Sequence, residues 1–269
     1  MKELARASWI LFQTHLVRTF RTRRGLIAAG LAALPVVLAL IVQQVSRHLE
    51  ATKGPAPVEP VILIVWGMLV QVIVPLVALV LASGVIAEEI EDRTITYLFT
   101  RPIPRAAILL GRWLAAALPI LVLAGLSAEA VVRLLAEVGE PGEAPWLPEG
   151  FHWRLLVTAL MGGAVYSAVF AAAGALFKRP MLVGLAYTFV YEGFLGNLPG
   201  ANQKATVIFY LRSFLFSGHP GMLGEVDEVI FSTPLVEPAA AVRALFLILA
   251  GVLALGAWRF SKREYVLAA

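Results

Sequence analysis

Carboxylates at two places in this 269-residue chain could do chemistry. Glu88, Glu89, Glu91 and Asp92 crowd into five positions ahead of Arg93 and Thr94, and Glu192 stands alone within an apolar run. The order Glu88-Glu89-x-x-x-Arg93 could begin a glutamate–histidine hydrolytic site, which would also need histidines in F-x-x-x-H and H-x-x-x-N spacing. The four histidines, His15, His48, His152 and His219, do not supply it. Phe12 and Phe216 precede a histidine by three positions rather than four, and no asparagine follows one by four. The same scatter argues against a histidine metal site. With no cysteine in the chain, disulfides, thiolate metal sites, iron–sulfur clusters and cysteine nucleophiles are excluded. The residues point away from an enzyme.

The elements that must position these groups are apolar and long. Hydrophobic residues make up 59% of the chain and charged residues 15%, with mean hydropathy +0.82. A soluble domain carries about 25% charge, so the solvent that suits this composition is a bilayer, and the expected fold is all-α and integral to the membrane. About 20 apolar residues cross roughly 30 Å of hydrocarbon. Six spans are expected, at about 25–45, 61–87, 106–128, 155–177, 181–198 and 239–260, in one transmembrane domain covering 1–269. The first is too long for a signal-peptide core and is read as a retained span. Gly162, Gly163 and Gly174 in the fourth allow close helix approach.

Lysine and arginine set the orientation. Six precede the first span, four lie in 88–112, two are Lys178 and Arg179, and three are near the C-terminus, against seven on the other side. This bias predicts both termini in the cytoplasm, in a multi-pass protein of the cell (inner) membrane. The pI near 9.6 is thereby explained without nucleic acid. Residues 1–24 place Arg6, Trp9, Phe12, Arg18 and Arg21 in an amphipathic pattern that suits an interfacial helix anchored on headgroups. Residues 199–238, including an amphipathic stretch at 205–216, are expected as an external or re-entrant segment folded on the outer surface.

Two polar groups fall within spans: Gln71 and Glu192. An intramembrane carboxylate without partners is costly, which makes this pair a candidate polar site. The alternative is that the fifth span ends early and leaves Glu192 at a wet turn among Gly193, Gly196, Asn197 and Pro199.

Between the second and third spans lies EEIEDRTITYLFTRPIPR, residues 88–105. Its acids suit the positive end of a helix dipole. Ile95, Leu98 and Phe99 make an apolar patch at helical spacing, and Pro102 and Pro104 stop the helix between Arg101 and Arg105. Such a short helix held between two spans could receive force from a soluble partner, or it could be an ordinary connection.

The stretch resembles the first cytoplasmic loop of permease subunits of ABC transporters, in the type-2 exporter superfamily. The resemblance rests on Glu88, Glu89, Glu91, Asp92, Arg93-Thr94, Leu98-Phe99, Arg101-Pro102-Ile103-Pro104-Arg105 and Gly111-Arg112. Arg93 stands where many members have Gly, and Arg112 where many have Lys. Within that superfamily the chain also resembles permeases of multi-copper-enzyme maturation, such as the one serving nitrous oxide reductase. The resemblance implies that 88–105 is a coupling helix docking on an ATPase subunit. It also implies two ATPase copies, a second permease copy (identical or related) and, in the subgroup, an external accessory protein. The chain contains no G-x-x-x-x-G-K-[ST] phosphate loop, so ATP and magnesium are expected on the partner and no cofactor on this chain. Alternatives are a mechanotransmitting subunit that passes force to an external partner, and an ATP-independent secondary transporter. The latter is disfavoured by the lack of an internal repeat.

Overall fold

The computed structural model describes residues 22–49, 63–84, 105–136, 147–196, 198, 201–218 and 234–262. Among these the protein is helical without strands: α1 (Arg23–Leu49), α2 (Leu63–Ala82), α3 (Arg105–Ala136), α4 (Phe151–Leu176), α5 (Pro180–Leu195), α6 (Val207–Phe216) and α7 (Pro238–Lys262). A short 3-10 turn, Ala201–Ala205, precedes α6. Five of these helices (α1, α2, α3, α4 and α7) are long and apolar enough to cross a bilayer.

Local sequence explains most helix boundaries. Thr22 Oγ1 accepts from the Gly25 amide at 3.1 Å and so caps α1. Pro180 opens α5, where its missing N–H costs nothing. Gly150, at φ +81°, turns the chain into α4 through a left-handed conformation that side chains disfavour. Helix α2 is π-helical over Leu63–Ile73 and α-helical from Val74. The change falls beside Pro75, which has no N–H to donate and crowds the carbonyl four residues back. Pro35 and Pro119 lie inside α1 and α3.

Helices α2 and α4 are the most enclosed, and α1 and α7 lie outermost. Leu26 and Ile27 on α1 and Phe246 and Leu247 on α7 are more than half exposed. Water would oppose so much bare apolar surface, whereas lipid is indifferent to it. Inside, helices meet at small residues. A Cβ on Gly162 would sit 3.1 Å from Leu211 and 3.3 Å from Val74, and one on Gly256 would sit 3.1 Å from Ala172. A Cβ on Gly174 would collide with the Ser83 carbonyl, and one on Gly184 with Leu79. Polar contacts also join the helices: Trp113 Nε1 donates to Ser167 Oγ at 3.0 Å, and Ser127 Oγ donates to the Ala32 carbonyl at 2.7 Å.

The expected fifth span, 181–198, and the segment 199–238 divide differently in the structure. Helix α5 has 16 residues and α6 has 10. At ~1.5 Å per residue neither reaches across ~30 Å of hydrocarbon. Both run antiparallel to α4, one after the other. Along α5, the Tyr187 ring meets Phe170 at 6.1 Å and Glu192 meets Tyr166. Along α6, Leu211 lies against Gly162, Phe214 against Trp153 at 5.8 Å, and Phe216 against Phe151 at 6.4 Å. Together the two helices match the length of α4. Helix α6 is enclosed by protein. It is buried on nearly every residue, packed among α4, α7 and α2. The apparent polar face holds Arg212 and Ser213, both enclosed by protein.

Candidate functional site: a break between two half-helices

Where α5 gives way to α6, the backbone leaves helical hydrogen bonding, and the first amides of α6 find acceptors. A helix start leaves its first amides without intrahelical partners. Here Val207 N donates to Glu192 Oε1 at 3.1 Å, Ile208 N to Glu192 Oε2 at 2.9 Å, and Phe209 N to Thr206 Oγ1 at 3.4 Å. Two phenols complete the set around Glu192: Tyr187 donates to Oε1 at 2.6 Å and Tyr166 to Oε2 at 3.2 Å. Each carboxylate oxygen thus receives two donors, which exhausts its usual capacity. Glu192 is 1% exposed. A negative group at the N-terminus of α6 also suits that helix's dipole. The alternative of a wet turn around Glu192 is corrected: the turn is present at Gly196, but the carboxylate is dry and fully bonded.

A cation holds the other end of α6. Arg154, from the first turn of α4, donates to the Phe214 carbonyl at 3.0 Å and to Ser217 Oγ at 3.1 Å. Its guanidinium also lies over the Trp153 and Phe214 rings. Helix α6 is therefore clamped by an anion at its start and a cation at its end, both supplied by its neighbours, in the polarity its dipole favours.

The connection carries its own polar network. Thr206 Oγ1 donates to the Gln203 carbonyl at 2.7 Å, Arg212 donates to Gln203 Oε1 at 3.0 Å, and the Tyr191 hydroxyl donates to the Ala205 carbonyl at 2.9 Å. Gln203, Thr206 and Arg212 are buried, while Asn202 and Lys204 are exposed. Near the other end of α3, Glu129 pairs with Arg133 at 2.6 Å and with His152. No cluster of metal-binding side chains occurs among the described residues.

Of the residues expected to act, Gln71 is half-buried in the π-helical part of α2, a different element from that carrying Glu192. Arg105 opens α3. Glu88, Glu89, Glu91, Asp92, Arg93, Thr94, Leu98, Phe99, Arg101 and Pro102 lie outside the described residues, as do Arg6, Trp9, Phe12, Arg18 and Arg21. Sequence reasoning missed the partners of Glu192, namely Tyr166, Tyr187 and the α6 amides, together with the Arg154 clamp. One signal was available: Thr206 precedes the apolar run 207–211, the pattern of an N-cap.

A family model described as "ABC-2 family transporter protein" matches residues 11–265. No curated protein matches the chain.

Proposed function

The chain belongs to the ABC-2 family of transporter proteins and is a multi-pass membrane subunit of an ABC transporter, and from that premise we propose that it is the permease of an ATP-driven exporter whose ATPase is a separate chain. The observation that carries this reading is the family match over nearly the whole length of a chain that has no phosphate loop. ATP and magnesium belong to the partner, and this chain contributes no catalytic residue.

In this reading residues 88–105, with Glu88, Glu89, Glu91, Asp92, Leu98 and Phe99, are the segment that docks on the ATPase. Two permeases and two ATPases form the working unit in the cell (inner) membrane, with both termini cytoplasmic, as the lysine and arginine bias supports. Closure of the ATPase pair on ATP pushes the docking helices, re-tilts the spans and exposes a central path to each side in turn. The docking segment ends at Arg105, where α3 starts, so a push there acts on a 32-residue helix. α3 packs along α4, and α4 carries the α5–α6 pair.

The test is purification of the chain from its native membrane in mild detergent. An ABC ATPase is expected in stoichiometric amount, with vanadate-sensitive hydrolysis. An active, stable permease recovered without any ATPase overturns the proposal. Transport and force transmission separate on solute flux in proteoliposomes: ATP-dependent flux supports the exporter, and a complex that hydrolyses ATP and moves an external partner without flux overturns it.

A further inference from the structure

The break between α5 and α6 falls midway along α4. Tyr166, which reaches Glu192 at the break, stands midway along α4 between Arg154 and Lys178, twelve residues from each. At ~1.5 Å per residue that is about 18 Å to either charged end, so the break sits near the bilayer centre. Ala205 is held at the same level by Tyr191, the neighbour of Glu192.

Yet Lys204, Ala205 and Asn202 are exposed there. About 15 Å of hydrocarbon lies to either side, farther than a lysine stem reaches by snorkelling. Irregular backbone at this depth is tolerated only when enclosed by protein or when it lines water, and an ammonium in lipid is costly. Gln203 adds a buried Nε2 with no hydrogen-bond partner, immediately between the two exposed residues.

We infer that the α5–α6 break forms part of the wall of a water-filled path through the membrane, with Asn202 and Lys204 facing it, and that Lys204 biases the path toward anionic solutes. Glu192 does not offset this bias, because its carboxylate is turned inward and spent on four donors. The anionic class rests on the reading of this chain as a solute permease, while the water-lined wall stands on the geometry alone.

The chain has no cysteine, so single cysteines can be read without background. Asn202→Cys and Lys204→Cys are made in the full chain, reconstituted in lipid nanodiscs at low salt. They are treated with two membrane-impermeant methanethiosulfonates, one carrying a sulfonate and one a trimethylammonium. Lys178→Cys, in the exposed turn between α4 and α5, and Leu247→Cys, on the bare face of α7, are the wet and lipid controls. Monodisperse elution certifies each variant.

Both break cysteines are expected to react at rates nearer Lys178→Cys than Leu247→Cys. At Asn202→Cys the sulfonate is favoured over the ammonium roughly fivefold relative to a free thiol, the size a unit charge about 8 Å away produces in watery surroundings. Adding Lys204→Gln should collapse that preference. If both cysteines stay as inert as Leu247→Cys, the water-lined wall is overturned, whether lipid or a second copy covers it; a disulfide between copies would identify the latter. If they react but the preference is absent or survives Lys204→Gln, the anionic bias is overturned. Neither result depends on recovering an ATPase, so failure here and failure of the transport reading remain distinguishable.

Discussion

At the scale of single residues, the unusual feature is how completely a buried carboxylate is satisfied. Removing the Glu192 side chain strands two phenols and two amides in a dry setting. Typical interhelical hydrogen bonds in membranes contribute about 0.6 kcal/mol each, and an orphaned buried donor costs about 1–3 kcal/mol. Glu192→Ala, which orphans four donors, should therefore destabilise the protein by about 4 kcal/mol or more, and Tyr187→Phe, which removes one donor cleanly, by no more than about 1 kcal/mol. Chemical unfolding in mixed micelles would measure both, and equal stability of Glu192→Ala and the parent would refute the assigned role. Arg154→Met keeps the apolar stem but deletes the charge at the end of α6. It should lower stability by about 1 kcal/mol and increase amide exchange at 214–218 before exchange rises elsewhere. Uniform exchange would count against a local clamp.

At the scale of elements, close approach at glycine sorts the helix contacts into tight and open. Gly174 abuts the Ser83 carbonyl and Gly184 abuts Leu79, so the end of α2 is gripped by both α4 and α5. Gly174→Val has backbone in its way and should misfold or lose several kcal/mol. Gly30 and Gly251 have nothing within 4 Å of a built Cβ. Gly30→Ala and Gly251→Ala should be neutral or stabilise by up to about 1 kcal/mol, since alanine suits a helix interior better. Expression and thermal retention of the monodisperse peak in detergent would rank the three. A tolerated Gly174→Val would mean that α2 and α4 are not in contact there. The α5–α6 pair belongs to this scale as well: Thr206→Ala removes an N-cap acceptor and should cost about 1 kcal/mol, read as earlier amide exchange at 207–209. Unchanged exchange there would count against the cap.

At the scale of the whole molecule, the described helices form one bundle in which α4 touches α2, α3, α5, α6 and α7. A displacement delivered at the start of α3 therefore has a packed route to the break. Under the proposed coupling, Glu91→Lys with Asp92→Lys should leave the permease folded while abolishing its stimulation of the partner's ATP hydrolysis, at least tenfold. Assaying hydrolysis of the reconstituted complex beside the elution profile of the permease checks this. Full stimulation by the doubly reversed protein would remove residues 88–105 from the coupling path.

Composition and run length alone determined membrane residence and the all-α class, because a bilayer demands long apolar segments with internally paired backbone. The order of residues 88–105 and Gly111-Arg112 was sufficient to suggest the family by resemblance, whereas their physical chemistry alone left an ordinary connection open. Three things were decided only by tertiary structure. One was the identity of Glu192's partners, because Tyr166 and the α6 amides come to it from 26 and about 15 positions away and hydrophobic periodicity carries no record of such meetings. Another was the enclosure of Arg212 and Ser213, which local pattern makes the solvent face of an amphipathic helix but packing seals inside the bundle. The last was the joining of α5 to α6. Each is too short by itself to cross, and hydropathy treats the polar turn between them as an exit from the membrane. Only contacts with α4 show the second half continuing in the direction of the first, because the signal lies in which residues of α4 each half touches and not in either segment's own composition.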